Sequence, residues 1–173
     1  MGLYLSKSFL MKLYRLYSKQ FLSISMDEAW NFLSNPNNLK TITPKNMSFT
    51  ITSGGELPMF PGQIVQYTVR PFPWYTTKWV TEITHIKEGE YFVDEQRFGP
   101  YALWHHKHFI KKIEGGVEMK DVIDYKIPFG FIGRLANLII VRKQLRHIFN
   151  YRAQKLDSLF GSINGQKHEL HIK

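Results

Sequence analysis

Residues 98–133 read FGPYALWHHKHFIKKIEGGVEMKDVIDYKIPFGFIG, two alternating runs joined through Gly115-Gly116 and then broken at Pro128-Phe129-Gly130. Alternation of period two around a Gly-Gly turn specifies an antiparallel hairpin. From residue 131 the period changes. Leu135, Leu138, Leu145, Phe149, Leu156 and Leu159 recur at helical spacing, and Gly161 follows as a stop, which predicts one helix over 131–160. A helix that starts directly after a hairpin can lie across the sheet and close one face into a pocket, an architecture suited to holding something.

Upstream, a strand over 13–24 has mixed alternation that leaves its buried face open. Ser25-Met26-Asp27-Glu28 is a capping box for a short helix whose apolar face is Ala29, Trp30 and Leu33, ending near Ser34. Asn35-Pro36 supplies a cap and a first-turn proline for a second short helix, stopped before Pro44. Strands are then expected over 49–52, 63–70, 75–87, 91–98, 103–113 and 117–127, separated by short Gly, Pro or charged turns that favour an antiparallel meander. The tail 162–173 is polar and is expected to fray.

Counting outward from Gly115-Gly116 as the central turn residues puts Glu114 opposite Val117. One face then carries Trp104, His106, His108 and Ile110 against Met119, Asp121, Ile123, Tyr125 and Ile127. The other pairs Lys107 with Asp124 and sets Lys111 beside Lys120. The first face offers two imidazoles, a carboxylate and a phenol among apolar side chains, a pattern that orients an amphipathic ligand. Each polar group also has a plainer reading, as a hydrogen-bonded packing residue. Residues at i and i+2 share a strand face, so a His-His-Asp metal site is conceivable; with no established third ligand, no metal is expected.

At 173 residues the chain fits one domain with a sizeable core. The absence of cysteine excludes disulfides, thiolate metal sites and cysteine nucleophiles. A net charge of +9 attracts polyanions. Its densest group, Arg134, Arg142, Lys143, Arg146, Arg152 and Lys155, falls in the C-terminal helix, where a solvated face is the ordinary explanation. No nucleic-acid motif accompanies the charge, so nucleic acid is not an expected partner; transient contact with an anionic membrane surface suits a carrier of apolar ligands better. Met1-Gly2 with Ser6 formally matches an acylation pattern, but Met11 reads equally well as a start. Residues 1–10 are therefore read as an extension, too short for a membrane span or a secretory signal, and the protein is expected in the cytoplasm.

The order of elements, a strand, two small helices, six strands and a long helix, resembles the helix-grip fold of the START-related, birch-pollen-allergen-like superfamily. More narrowly it is similar to bacterial ligand-binding SRPBCC proteins, grouped with polyketide cyclase/dehydrase-like domains. The resemblance covers residues 11–160 and is strongest in FLSISMDEAWNFLSNPNNL (21–39), KWVTEITH (78–85), DEQRFGPYALWHHKH (94–108) and 119–133. It implies an α+β domain in which a curved seven-stranded antiparallel sheet wraps the last helix around a largely apolar cavity, leaving 161–173 as a polar tail. That superfamily includes carriers, sensors and some enzymes, so the fold alone does not choose among them. Binding of a small hydrophobic or amphipathic molecule (a lipid, isoprenoid or polyketide-like compound), without a cofactor, is placed first. Its candidate contacts are Trp104, His106, His108, Ile110, Asp121, Ile123 and Tyr125 from the hairpin, with Leu145 and Phe149 from the helix. The alternative is a cyclase or dehydratase using His106, His108 and Asp121, with Glu95 as a further proton-transfer group and Arg97 steadying an enolate or carboxylate.

Overall fold

The structure, a computed structural model, describes residues 12–72 and 74–173; the N-terminal extension and its acylation pattern lie outside the described residues. Strand β1 (Tyr14–Leu22) leads into helix α1 (Met26–Leu33), whose capping box is formed: the Glu28 amide donates to Ser25 Oγ at 3.2 Å and the Ser25 amide to Glu28 Oε2 at 3.1 Å. Two short 3-10 helices follow, Pro36–Lys40, capped by the Asn35 side chain, and Lys45–Met47. Next come β2 (Thr50–Ser53), β3 (Ile64–Phe72), β4 (Tyr75–Lys87), β5 (Tyr91–Phe98), β6 (Leu103–Ile113) and β7 (Gly116–Lys126). The C-terminal helix is built from α2 (Gly130–Ala136), a π turn (Asn137–Val141) and α3 (Arg142–Phe160), and β8 (Glu169–Ile172) ends the chain.

The strands form one antiparallel sheet in the order β2-β3-β4-β5-β6-β7-β1-β8. Register shifts in the β3–β4 and β4–β5 ladders bend it, as bulges do. The helix is gripped from both sides of the curve. Gln144 Nε2 donates to the Pro71 carbonyl at 3.0 Å near the β3–β4 hairpin, and Gln20 Nε2 of β1 donates to Ala153 O and Asp157 Oδ1, both at 2.8 Å.

Three expectations are corrected. The sheet has eight strands rather than seven, because the tail does not fray: β8 pairs with β1, Ile172 is buried opposite Leu16, and Lys19 reaches Glu169 at 2.7 Å. The hairpin register moves by two residues. Ile113 pairs with Gly116 and Lys112 with Val117, so Lys107 sits opposite Val122 and Lys111 opposite Glu118. The reason is that only one glycine serves the turn. Gly115, at φ +79°, supplies its left-handed position, whereas Gly116 is needed because a Cβ there would lie 2.0 Å from the Leu22 carbonyl oxygen of β1. A shift of two leaves every side chain on its assigned face. Finally, the long helix is interrupted by the π turn, where the fully buried Asn137 accepts a hydrogen bond from Tyr125 Oη at 3.0 Å.

The undecided face of β1 is also fixed: Tyr14, Leu16, Ser18, Gln20 and Leu22 point inward. Sequence alternation is blurred there because two inward residues are polar while Tyr17 and Phe21 lie outward. The interior holds two apolar clusters. One gathers Tyr14, Leu16, Ile123, Tyr125, Leu145, Phe149 and Ile172; the other gathers Leu22, Ala29, Ile42, Ile110, Val117, Met119 and Leu156.

Candidate functional site

A cavity of about 440 Å³ lies between the sheet and the C-terminal helix. Val65, Tyr67 and Val69 of β3, Trp79, Thr81 and Ile83 of β4, Phe92 of β5 and Trp104 of β6 line the sheet side, and Leu145, Ile148 and Phe149 of α3 line the other. One wall is polar, formed by Asp94, His106, His108 and Arg152.

Adjacent strands build that wall. Asp94 is paired with His106 across β5–β6, and His108 with Asp121 across β6–β7. The two imidazoles lie against each other, tilted by 36° with ring centroids 3.6 Å apart, and each spans the gap between the two carboxylates. His108 Nε2 lies 2.8 Å from Asp94 Oδ2 and its Nδ1 lies 2.9 Å from Asp121 Oδ1. His106 Nε2 lies 3.0 Å from the same Asp121 oxygen, but its Nδ1 is 3.6 Å from Asp94 Oδ2, beyond a hydrogen bond. Arg152 Nη2 closes the group at 3.6 Å from Asp121 Oδ1. Phe92 stacks on His108 at 4.0 Å between centroids, and Phe149 and Trp104 meet His106 edge-on.

Hydrogen-bond partners assign the protons. A carboxylate only accepts, so His108, with both nitrogens on carboxylates, is the imidazolium, and His106 is neutral with its proton on Nε2. The electrostatics agree. Burial, and then the charge on His108, pull His106 down to about 4. Burial also opposes charging of His108, but the hydrogen bonds from Asp121 and Asp94, with their charges, outweigh it and raise its pKa. Asp121 is held well below the carboxylate range: burial works against this, and the Arg152 charge and the two imidazole hydrogen bonds overcome it. Asp94 is lowered by the hydrogen bond from His108 and the surrounding cations, again against burial. Two carboxylates, one imidazolium and one guanidinium leave the group neutral.

Asp94, His106 and His108 each present one ligand atom, all within 4.8 Å of one another, a donor set that a transition metal can use. Loading it would require expelling the His108 proton and adding a dication beside Arg152, in a group whose charge is already balanced. The wall is better matched to hydrogen-bonding a polar ligand end: His106 Nδ1 keeps a lone pair, and His108 and Arg152 carry positive charge.

Of the residues expected from sequence, Trp104, His106, His108, Leu145 and Phe149 line the cavity. Asp121 lies behind the imidazoles, fully buried. Ile110, Ile123 and Tyr125 share the inward face but pack into the two apolar clusters. Glu95 and Arg97 are not brought to the site, since they pair with His105 and Glu82 on the opposite face. Asp94 and Arg152 were missed. Arg152 had a readable signal, because Leu145, Phe149, Arg152 and Leu156 fall on one helical stripe; it is 8% exposed, not part of a solvated face. Two donors near the cavity, Trp79 Nε1 and Arg152 Nε, are buried without a hydrogen-bond partner among the described residues.

Comparison with known proteins places the architecture. No family model and no curated protein matches the chain. Among solved structures, protein CV1439 from Chromobacterium violaceum superposes with a TM-score of 0.65 at 12% identity, covering 88% of this chain and 100% of that one. TTHA0849 from Thermus thermophilus gives 0.66 at 10% identity over 83% and 94% of the two chains. Ara h 8.0201 gives 0.54 at 16% identity over 85% and 99%. The fold is the helix-grip fold. At these identities the likeness carries the architecture, and the helix-grip chain's chemistry rests on its own residues. Among its described residues no helix is long and apolar enough to cross a membrane.

Proposed function

We propose that this protein binds a small, mainly apolar molecule carrying one polar end, with the apolar body between sheet and helix and the polar end on the Asp94-His106-His108-Arg152 wall. The observation that carries this reading is the asymmetry of the cavity: an aromatic and aliphatic lining interrupted on one side by a charge-balanced polar group. Its volume lies within the roughly 300–1,000 Å³ usual for small-molecule sites. Lipids, isoprenoids and polyketide-like compounds meet the description. Proton abstraction is the weaker reading, because a base with a pKa near 4 is poorly matched to neutral pH and His108 already holds its proton. Native mass spectrometry followed by solvent extraction identifies a retained ligand. In parallel, anilinonaphthalene sulfonate, itself apolar with one anionic end, is expected to bind one to one, and Ile148→Trp, which fills the cavity, is expected to weaken it. Probe binding unaffected by Ile148→Trp lies outside the cavity and overturns the reading.

A further inference from the structure

The cavity mouth carries an apolar surface that the ligand reading does not use. Phe129, Phe131, Ile132, Leu135, Leu138 and Ile139, on and around α2 and the π turn, are all at least half exposed, Phe129 at 80%. At the tip of the β3–β4 hairpin, whose Pro71 carbonyl accepts from Gln144 of the same long helix, Trp74 is 81% exposed and stacks on Phe72. Both segments also line the cavity, through Phe129 and Ile132 on one side and Phe72 and Tyr75 on the other. Isolated exposed apolar residues are ordinary; two exposed apolar segments that line one cavity mark an interaction surface.

Charge identifies the occupant. No Asp or Glu occurs in 57–81 or in 125–156, while those segments hold nine Lys and Arg. Arg70 and Lys78 flank the hairpin tip, and Lys143 and Arg146 follow the π turn; all four are exposed. A second copy of the chain would bring like-charged flanks together, which self-complementary pairing disfavours. An anionic bilayer meets both features, with Trp74 and the α2 side chains at headgroup depth and the basic flanks against lipid phosphates. We infer that residues 129–140 and the Trp74 hairpin form a docking collar that sets the cavity mouth on an anionic lipid surface.

The test is sedimentation of the full chain with phosphatidylcholine vesicles, with and without a third of phosphatidylglycerol. Binding is expected to the anionic vesicles only, and to fall as salt rises. Phe131→Glu with Ile139→Glu is expected to abolish it; Lys143→Gln with Arg146→Gln is expected to weaken it about thirtyfold. Circular dichroism checks that these surface variants fold. Absence of binding to anionic vesicles, or binding that survives the Glu pair, overturns the proposal. So does self-association that disappears with the Glu pair while vesicles are ignored, which assigns the surface to a second copy. Anilinonaphthalene sulfonate binding in the Glu pair separates the two readings, since its retention leaves the cavity intact whatever the vesicles do.

Discussion

His106 and His108 are two residues apart on one strand face and hold opposite protonation states, because His108 lies between two carboxylates, hydrogen-bonded to Asp94 and 2.9 Å from Asp121, whereas His106 is within reach of only one. The consequence is a stability profile with two slopes. A free imidazole titrates near 6.5. His106 in the folded chain titrates at about 4, so between roughly 6.5 and 4 the unfolded chain binds a proton that the native state refuses, and stability falls as pH falls. His108 is raised, so its contribution is full below about 6.5 and is lost as pH rises through its folded value. The contributions of Asp94 and Asp121, both lowered, persist until pH drops below about 4. Urea unfolding across pH is therefore expected to peak near neutrality, with His106→Gln flattening the acid side and His108→Gln the alkaline side. A wild-type profile flat between 4 and 6.5 contradicts the assignment. Arg152→Ala removes the guanidinium that compensates a fully buried Asp121, and is expected to cost about 3–5 kcal/mol in the same assay. Asp94 was illegible in the sequence for a physical reason: the β5–β6 connection through Gly99 and Pro100 gives no turn from which to count register, so nothing local specifies its pairing with His106.

Among the elements, sequence periodicity located β4, β5 and β6 to the residue, since each is bounded by turn chemistry and its alternation is driven by one buried face. It failed where a tertiary contact, not a local preference, decides the structure. Strand β8 has only four residues, and its identity comes from the open edge of β1 that it covers. Removing 167–173 is therefore expected to destabilise the fold by roughly the 1.5–3 kcal/mol of burying Ile172, with the Lys19–Glu169 pair lost besides, and so to lower the thermal midpoint. A midpoint equal to that of the full chain would return the tail to the frayed state its composition suggested. The glycine pair behaves in the same way. Gly115 is fixed by its turn and Gly116 by the backbone of a strand nearly a hundred residues earlier in the chain. Asn137 was hidden for a related reason, because its role depends on a phenol from β7 arriving opposite it.

For the molecule as a whole, the organising feature is a polar belt between two apolar clusters. It runs from Ser18 and Gln20 of β1 through Asp121 of β7 and His106 and His108 of β6 to Asp94 of β5, with Arg152 facing it from α3. Along α3, Leu145 and Phe149 belong to the cluster on one side of Arg152 and Leu156 to the cluster on the other. Ile42 of the second cluster also lines the cavity, but along α3 only the Leu145–Phe149 side does, which makes two truncations of one helix distinguishable. Leu156→Ala, fully buried and away from the cavity, is expected to cost about 2–5 kcal/mol and leave anilinonaphthalene sulfonate affinity unchanged. Phe149 is 4% exposed, packs in its cluster and also lines the cavity, so the space vacated by Phe149→Ala joins an existing void. Its cost should fall in the lower part of the same range, with probe preference moving toward bulkier apolar bodies. If Phe149→Ala and Leu156→Ala lose equal stability and neither alters the probe series, the space beside Phe149 is packing and not a site.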